Sequence, residues 1–352
     1  MALSLGFYLI ILLAAPAVVL AVEAPSAPAL KLLALPPGVT AAQIQQALNV
    51  LTNGGEVLLP PGRIKLNQPL ILEHNYQSLC GASNQTTILS LMNDANCPVI
   101  IMGEPVNRPI QPVRHLCVRN VFIDGNRAHQ QRELWREKGE GSEIRNNGIT
   151  VQNVSDSLIE NVTATECRSG GLVTTLGVRR LTVRNFTSFN NEFDGLACYL
   201  TMDSVFEKLY LHDNPGAGIS LDLAFDHNFI TNAVLEGNDL GIFMRDSRNN
   251  RFSDITIRKN RDFGVFMAQA FESLDRGPQP EPDTECTDNS FIGLVDLKNG
   301  RAAFRVNDAS CTNNVITDAQ WGGSVRELGP DARDHLPAGI LSTVTPNLVT
   351  VK

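Results

Sequence analysis

Charged residues are scarce in this chain of 352 residues, since Asp, Glu, Lys and Arg make up 19% of it, against roughly 25% in a typical soluble domain. The 29 basic residues are outnumbered by 37 acidic ones, which gives a formal net charge of −8. A general nucleic-acid-binding protein needs a basic surface. The composition therefore argues against nucleic acid as a partner, and an acidic ligand would require a local cluster of basic side chains.

The sequence also lacks the short motifs of several enzyme classes. It has no Cys-x-x-Cys pair, no phosphate-binding P-loop and no His-Glu-x-x-His motif. Thiol-redox, nucleotide and zinc-protease chemistry therefore have no support in the sequence. We predict no cofactor and no metal site, with Ca²⁺ held by an acidic side chain as the alternative left open.

The N-terminus has no basic residue before Lys31, and residues 5–21 form one apolar run followed by small residues. The run is short for a membrane-spanning helix, and its pattern is typical of a secretory signal. We predict a signal peptide over 1–24, with an uncleaved anchor as the alternative, and a linker over 25–37. The chain is then secreted or periplasmic, with no membrane contact beyond the signal segment.

A glycine followed by an apolar residue recurs at spacings of 23 or 24 residues. Each period contains three short stretches of alternating apolar residues, which is typical of β-strands. Three such strands cannot bury their apolar faces alone, whereas stacked repeats bury them in a continuous core. The repeat predicts a right-handed parallel β-helix with three strands in each coil of about 23 residues. The pairs are Gly148-Ile149, Gly171-Leu172, Gly195-Leu196, Gly218-Ile219, Gly241-Ile242 and Gly264-Val265.

A second repeated column places a small polar residue two positions after an apolar one, as at Asn120, Asn161 and Asn185. Asn tolerates the left-handed backbone conformation. We therefore predict that this column marks the bend between the second and third strands, where its side-chain amides bond to the backbone of a neighbouring coil.

Residues 41–89, with the run Gly54-Gly55-Glu56-Val57-Leu58-Leu59-Pro60-Pro61-Gly62, resemble the entry segment of the pectin-lyase-like superfamily. The resemblance implies a short amphipathic helix that caps the N-terminal end of the β-helix. The repeat frame then gives a β-helix domain over 38–320, with insertions at 127–147 and 271–288. Residues 321–352 are predicted to form a C-terminal cap or tail.

Residues 194–214, together with 123–126, are similar to the β-helix module of mannuronan C-5 epimerases. The matched residues are repeat residues. The Tyr-Gly-x-Asp-Pro-His run of that family is replaced in the same register by Gly171-Leu172-Val173-Thr174-Thr175. The resemblance therefore implies the scaffold but not that active site.

Proteins of this architecture use the outer face of the first strand as a groove, an analogy at the level of the fold. Alternation turns the second and fourth residues after each repeat glycine outward. The outward candidates are Gln152, Tyr199, Asp222 and Arg245 in the fourth position, with Arg305 as a continuation across an insertion, and Phe243 and Phe266 in the second position.

Tyr199, Asp222 and Arg245 lie on three consecutive predicted coils and suit the modification of a uronate. Elimination and epimerisation both begin with removal of the proton α to a carboxylate. Arg245 would neutralise that carboxylate, Asp222 would act as a base or metal ligand, and Tyr199 would transfer a proton. His227, in the turn beyond, is the fourth catalytic candidate. The structural alternative is a surface ion pair between Asp222 and Arg245.

Five further residues are predicted to contact substrate. Phe243 and Phe266 form either a sugar-stacking platform or a surface that a loop covers. Trp135 lies in the first insertion, which would form a wall or lid, with a solvated charged segment as the alternative. Gln152 and Arg305 complete the set.

These observations predict an exported, monomeric β-helix protein that binds an acidic polysaccharide and modifies it by β-elimination or epimerisation. A glycosidase on the same scaffold is one alternative, for which Asp226 or Asp246 would pair with Asp222. A non-catalytic β-helix at the cell surface is the other. Whether the protein is an enzyme stays open at this point.

Seven cysteines leave at least one unpaired. Cys286 and Cys311 align at a separation of 25 residues, about one coil, and each precedes a second strand. Equivalent positions on stacked coils are about 4.8 Å apart, within the range that a disulfide spans. We predict a bridge between these two cysteines in an oxidising compartment.

Overall fold

The structure, a computed structural model, describes residues 31–131, 144–269, 285–324 and 326–329, together with the backbone of 341–342. In these ranges the chain winds into a parallel β-helix, as predicted, and every strand pairing is parallel between successive coils. The predicted signal peptide lies outside the described residues. None of the described helices is both long and apolar enough to cross a membrane.

Three sheets form the walls of the coil. The first-strand sheet has ten strands: Leu70–Leu72, Ile100–Met102, Ile149–Gln152, Leu172–Thr175, Leu196–Tyr199, Ala217–Asp222, Leu240–Arg245, Val265–Ala268, Phe304–Val306 and Arg326–Leu328. The short-strand sheet has seven: Val113–Arg114, Val154–Ser155, Val178–Arg179, Thr201–Met202, Phe225–Asp226, Ser247–Arg248 and Cys286–Thr287. The long-strand sheet has sixteen: Lys31–Ala34, Gly55–Leu58, Gly62–Leu66, Gln77–Cys80, Thr87–Leu91, Cys117–Asp124, Leu158–Thr165, Thr182–Phe189, Val205–His212, Phe229–Glu236, Arg251–Arg258, Ser290–Ile292, Val295–Leu297, Val315–Thr317, Gln320–Trp321 and Leu341–Ser342.

The long strands contain the predicted bend between the second and third strands. Asn120, Asn161 and Asn185 all have φ between 50° and 59°, in the left-handed region. The Asn161 amide donates to the side-chain oxygen of Asn120 on the preceding coil at 2.7 Å. The left-handed bend is therefore confirmed, and this bond joins two side chains rather than a side chain and the backbone.

The repeat glycines mark places where successive coils come too close for a side chain. A Cβ added at Gly241 would lie 2.4 Å from the carbonyl oxygen of Gly264 on the next coil. The same contact would be 2.9 Å between Gly218 and Gly241. The first strand therefore begins at glycine because the backbone of the next coil occupies that space.

The helix Ala41–Asn49 covers the N-terminal end of the stack, as the resemblance implies. Thr40 accepts a hydrogen bond from the Gln43 backbone, and the Gln43 side chain accepts one from the Thr40 backbone, which forms a capping box. Ile44 and Leu48 are fully buried. The helix thus covers apolar surface that the first coil would otherwise expose.

Strands also extend beyond the predicted domain boundaries. Lys31–Ala34, inside the predicted linker, pairs in parallel with Gly55–Leu58. Arg326–Leu328, inside the predicted tail, pairs with Phe304–Val306. The β-helix is therefore longer at both ends than the apolar repeat indicates.

Two ladders of asparagines, all buried except the half-buried Asn299, run along the stack at its corners. In one ladder each side-chain oxygen accepts the backbone N–H of the asparagine on the preceding coil, at 2.9–3.2 Å. The second ladder repeats this pattern at the corner before the long strand. The first comprises Asn191, Asn214, Asn238, Asn260 and Asn299, and the second Asn228, Asn250, Asn289 and Asn314.

Candidate functional site

The first-strand face is the outer surface of the first-strand sheet, formed by the second and fourth residue of each strand after its glycine. Tyr199 is in register with Asp222 on the next coil, and Phe243 with Phe266. The intervening residues Leu221 and Met244 are fully buried in the core. The alternation therefore turns the predicted candidates outward.

Asp222 and Arg245 form an ion pair on neighbouring coils of this face. The Asp222 side chain is 3% exposed and the Arg245 side chain 30% exposed. The other Asp222 carboxylate oxygen accepts the backbone N–H of Leu223 at 2.9 Å. Asp222 is therefore a buried anchor, and Arg245 is the partner that solvent reaches.

The turn after Asp222 is strained. Leu223 and Ala224 both have left-handed φ values, 58° and 60°, a conformation that costs a non-glycine residue roughly 1–2 kcal/mol. The Ala224 N–H donates to a carboxylate oxygen of Asp246 at 2.9 Å. Two buried carboxylates thus hold this turn. A left-handed residue also follows the first strand at Leu176 and Leu200 on the preceding coils, so the bend at Leu223 belongs to the repeat.

Tyr199 lies among charges of both signs. Burial raises the pKa of its phenol, and the nearby carboxylates of Asp194 and Asp222 raise it further, while Arg145 and Arg245 lower it. The phenol is therefore protonated at neutral pH. This state suits a hydrogen-bond or proton donor, not a base.

Asp194 belongs to this site, although sequence reasoning treats it as a repeat residue. Burial raises its pKa to about 6, with partial compensation from the Ala217 N–H, which donates to it at 2.7 Å. The guanidinium of Arg145, which also lowers the Asp194 pKa, lies over the Phe193 ring at 5.3 Å. Asp194 and Arg145 both lie outside the strands, so apolar alternation does not predict in which direction their side chains point.

Phe243 and Phe266 stack on each other, with ring centroids 5.5 Å apart and planes 12° from parallel. The Arg245 guanidinium lies 5.0 Å from the Phe243 centroid. Because the ring faces are turned toward these neighbours, the ring edges point to solvent. An aromatic edge carries positive partial charge, so this strip favours anionic groups over the stacking of a sugar ring.

The expectation that Arg305 continues the series of fourth-position residues is wrong. Arg305 is in register with Phe266, so it extends the series of second-position residues, Phe243 and Phe266. The insertion before it obscured the register. Its guanidinium bonds to the carboxylate of Glu327 on the next coil and lies 6.0 Å from the Phe263 ring.

Three other predicted residues lie elsewhere or outside the described ranges. Gln152 is buried, and its amide donates to the carbonyls of Glu104 and Val106, which fixes a loop over it. His227 is exposed in the turn after the short strand Phe225–Asp226, so the structure does not bring it to the first-strand face. Trp135 lies outside the described residues.

The carboxylates that a glycosidase would need are engaged in other contacts. Asp226 bonds to Arg248 at 2.8 Å. Asp246 is fully buried, and burial raises its pKa to about 6 although Arg248 partly offsets this. No three His, Cys, Asp or Glu side chains of the described residues converge as a metal site.

Cys286 and Cys311 occupy equivalent positions on adjacent coils. Ser290 lies four residues after Cys286 and Val315 four residues after Cys311, and these two residues pair in register on adjacent strands. Both thiols are free and fully buried in this structure, and Cys311 raises the pKa of the Cys286 thiol. The two cysteines are neighbours that are not joined, so the bridge stays a prediction.

Residues 120–325, more than half of the chain, match the family described as "NosD: Periplasmic copper-binding protein (NosD)". No curated protein matches the chain.

Solved structures share the fold at low sequence identity. A polygalacturonase from Erwinia carotovora ssp. carotovora is 14% identical, with 92% of this chain and 98% of that chain covered and a TM-score of 0.56. The A-module of a mannuronan C-5 epimerase from Azotobacter vinelandii is 15% identical, with 86% and 95% covered and a TM-score of 0.51. An endo-xylogalacturonan hydrolase from Aspergillus tubingensis is 14% identical, with 92% and 98% covered and a TM-score of 0.52. These similarities confirm the pectin-lyase-like β-helix and carry no more than the fold.

Proposed function

This chain belongs to the NosD family of periplasmic β-helix proteins, and from that premise we propose that it binds an acidic, uronate-containing polysaccharide along the first-strand face. The family is periplasmic, which confirms the predicted export. The structural neighbours include a mannuronan C-5 epimerase and a polygalacturonase, two enzymes named for uronate polysaccharides. The fold supports a carbohydrate ligand, and the side chains of this face favour an acidic one.

The observation that carries the proposal is the presentation of Arg245. Its guanidinium is fixed by the buried Asp222 carboxylate and by the Phe243 ring, and it remains partly exposed. A guanidinium held in place binds a carboxylate with little loss of side-chain freedom. The adjoining ring edges of Phe243 and Phe266 add positive partial charge.

The same arrangement supports modification of the bound uronate by elimination or epimerisation. Arg245 would stabilise the negative charge that develops on the sugar carboxylate when the α-proton leaves. Asp194, whose pKa is raised by burial to about 6, would serve as base. Tyr199, with a protonated phenol, would return a proton or protonate the leaving oxygen.

A glycosidase is less well supported. Hydrolysis requires two carboxyl groups that reach the same glycosidic bond. Asp222 is anchored to Arg245, Asp226 to Arg248, and Asp246 lies in the interior. None of the three is an accessible partner for a second carboxyl on the first-strand face.

Copper, which the family description names, does not fit the side chains of the first-strand face. Copper prefers thiolate, thioether and imidazole ligands. Met244 and Met267 point into the core and are at most 1% exposed, and Cys198 in the same column is fully buried. We therefore assign copper no part in the chemistry of the first-strand face.

The test is calorimetric binding of oligogalacturonate and oligomannuronate, with a neutral oligosaccharide as ligand control. We expect Arg245→Ala to weaken binding of the uronates about 10- to 100-fold, because a charge-assisted contact contributes roughly 1.5–3 kcal/mol. Arg179→Ala is the matched control, since Arg179 forms an exposed ion pair with Asp203 on the short-strand sheet. Equal affinity of Arg245→Ala and the unaltered protein would contradict the proposal.

Ultraviolet absorbance during the same incubations separates the reactions. Elimination creates a conjugated, unsaturated uronate that absorbs, whereas epimerisation changes only the stereochemistry of the sugar, which proton NMR detects. Binding with neither change would support a non-catalytic carbohydrate-binding protein.

A further inference from the structure

Cys286 and Cys311 are buried cysteines on adjacent coils. Both are completely inaccessible to solvent, and the Cys311 side chain raises the pKa of the Cys286 thiol. The pairing of Ser290 with Val315 shows that the two cysteines occupy equivalent places on the stack. Equivalent Cα atoms on adjacent strands are about 4.8 Å apart, inside the range that disulfides span.

We propose that Cys286 and Cys311 form an intramolecular disulfide in the mature periplasmic protein. The two thiols lose two protons and two electrons as the S–S bond forms. A disulfide oxidant, such as an oxidised thiol oxidoreductase or glutathione disulfide, accepts them and becomes a pair of thiols. The periplasm is a compartment in which disulfides form and persist.

Copper(I) is the competing partner for this pair, since the family description names copper. Copper(I) binds deprotonated thiolates, so two of them with one metal ion carry a net negative charge. Contact with Cys311 and burial raise the pKa of Cys286, and the carboxylates of Asp308 and Asp246 raise it further. These surroundings disfavour a buried anionic complex, whereas a disulfide is neutral and incurs no such penalty.

The bond would lie where the long strands are divided. Arg251–Arg258 is continuous over eight residues, whereas the next coil pairs with it through two three-residue strands, Ser290–Ile292 and Val295–Leu297. The ladder of hydrogen bonds is therefore interrupted in the later coils, and regions with fewer such bonds open more readily. A covalent link between Cys286 and Cys311 would join two of these coils directly.

The first test counts thiols in protein purified from the periplasm, alkylated in denaturant before and after reduction. We expect five of the seven cysteines to react before reduction and all seven afterwards. Mapping should link the peptides of Cys286 and Cys311. Because both are buried, we expect the bond to resist reductant until the protein unfolds. Seven reactive thiols before reduction, or a different linkage, would overturn the proposal.

In the second test, each protein is unfolded and refolded either with or without reductant. The midpoints of its denaturation under the two conditions are then compared. Reduction should lower the midpoint of the unaltered protein but not that of Cys286→Ala or Cys311→Ala. Cys198→Ala is the matched control, because it removes a buried thiol on the first-strand sheet and leaves the pair intact. It should respond to reductant like the unaltered protein, and an equal response in all four proteins would refute the bridge.

The third test adds copper(I) to periplasmically purified protein under anaerobic conditions, in competition with a chromophoric chelator. We expect the unaltered protein to bind no more copper than Cys286→Ala does. One copper ion per chain that disappears in this variant, with seven reactive thiols in the copper-free protein, would show that the pair is a metal site and not a disulfide.

Discussion

Removal of one asparagine from a buried ladder tests what holds the coils in register. Asn238 is fully buried, and its oxygen accepts both the backbone N–H of Asn214 and the Asn214 amide, at 3.1 and 3.0 Å. Its own amide donates to the Leu211 carbonyl at 2.9 Å. Asn238→Ala leaves the Asn214 backbone N–H and the Leu211 carbonyl without these partners, whereas the Asn214 amide keeps its bond to the Ser188 carbonyl. At roughly 1–3 kcal/mol for each buried unsatisfied group, with incomplete additivity, we expect a loss of about 3–5 kcal/mol.

Equilibrium denaturation with urea, followed by circular dichroism, measures this loss. Asn249→Ala is the control, because Asn249 is an exposed asparagine in a turn, and we expect it to cost roughly 1 kcal/mol or less. Asn238→Asp retains the acceptor but loses the donor and buries a charge, so its stability should improve as the pH falls and the carboxyl is protonated. If Asn238→Ala and Asn249→Ala cost the same, the ladder is not a principal source of stability.

Two further predictions concern buried carboxyl groups. Asp222→Asn retains an acceptor for the Leu223 N–H but removes the charge that fixes Arg245. We expect the free energy of unfolding to fall by about 1–2 kcal/mol, less than for a fully buried pair because Arg245 is partly exposed. The loss of uronate affinity should be smaller than the loss that Arg245→Ala causes. Unchanged stability would contradict the anchor role of Asp222. Burial raises the pKa of Asp296 to about 7, above the usual value for an aspartate in an unfolded chain. Folding therefore binds an additional proton in this range, and the contribution of Asp296 to stability falls as the pH rises from about 4 to 7. Asp296→Asn should flatten this decline between pH 5 and pH 8, and an unaltered pH profile would refute the assignment.

The fold was largely predictable because the repeat combines two physical constraints. Period-2 apolar alternation identifies strands, and the glycine column marks where the next coil's backbone leaves no room, as at Gly241. The asparagine ladders were not predictable in the same way. Asn214 and Asn238 lie at corners, where asparagine also occurs as an ordinary turn residue, so only the structure shows that their amides are buried.

The candidate site was predictable only where strands are uninterrupted. Tyr199, Asp222 and Arg245 follow from counting along consecutive coils, and the structure turns all three toward the first-strand face. Arg305 follows an insertion of unknown register, and counting placed it in the wrong column. Asp194 and Arg145 lie outside the strands, where alternation carries no information about direction.

The coils that carry the proposed binding residues also depart from the repeat. Among the described first strands, Ala217–Asp222 and Leu240–Arg245 have six residues, whereas the others have three or four. The added residues lie at the strand starts, and Asp222 and Arg245 stand at ends that are in register with Tyr199 and Ala268 on neighbouring coils. Longer strands hold these ends more rigidly, and a rigid element positions a guanidinium more precisely than a free loop does. The two longest first strands are thus the ones that carry the residues that would bind the ligand.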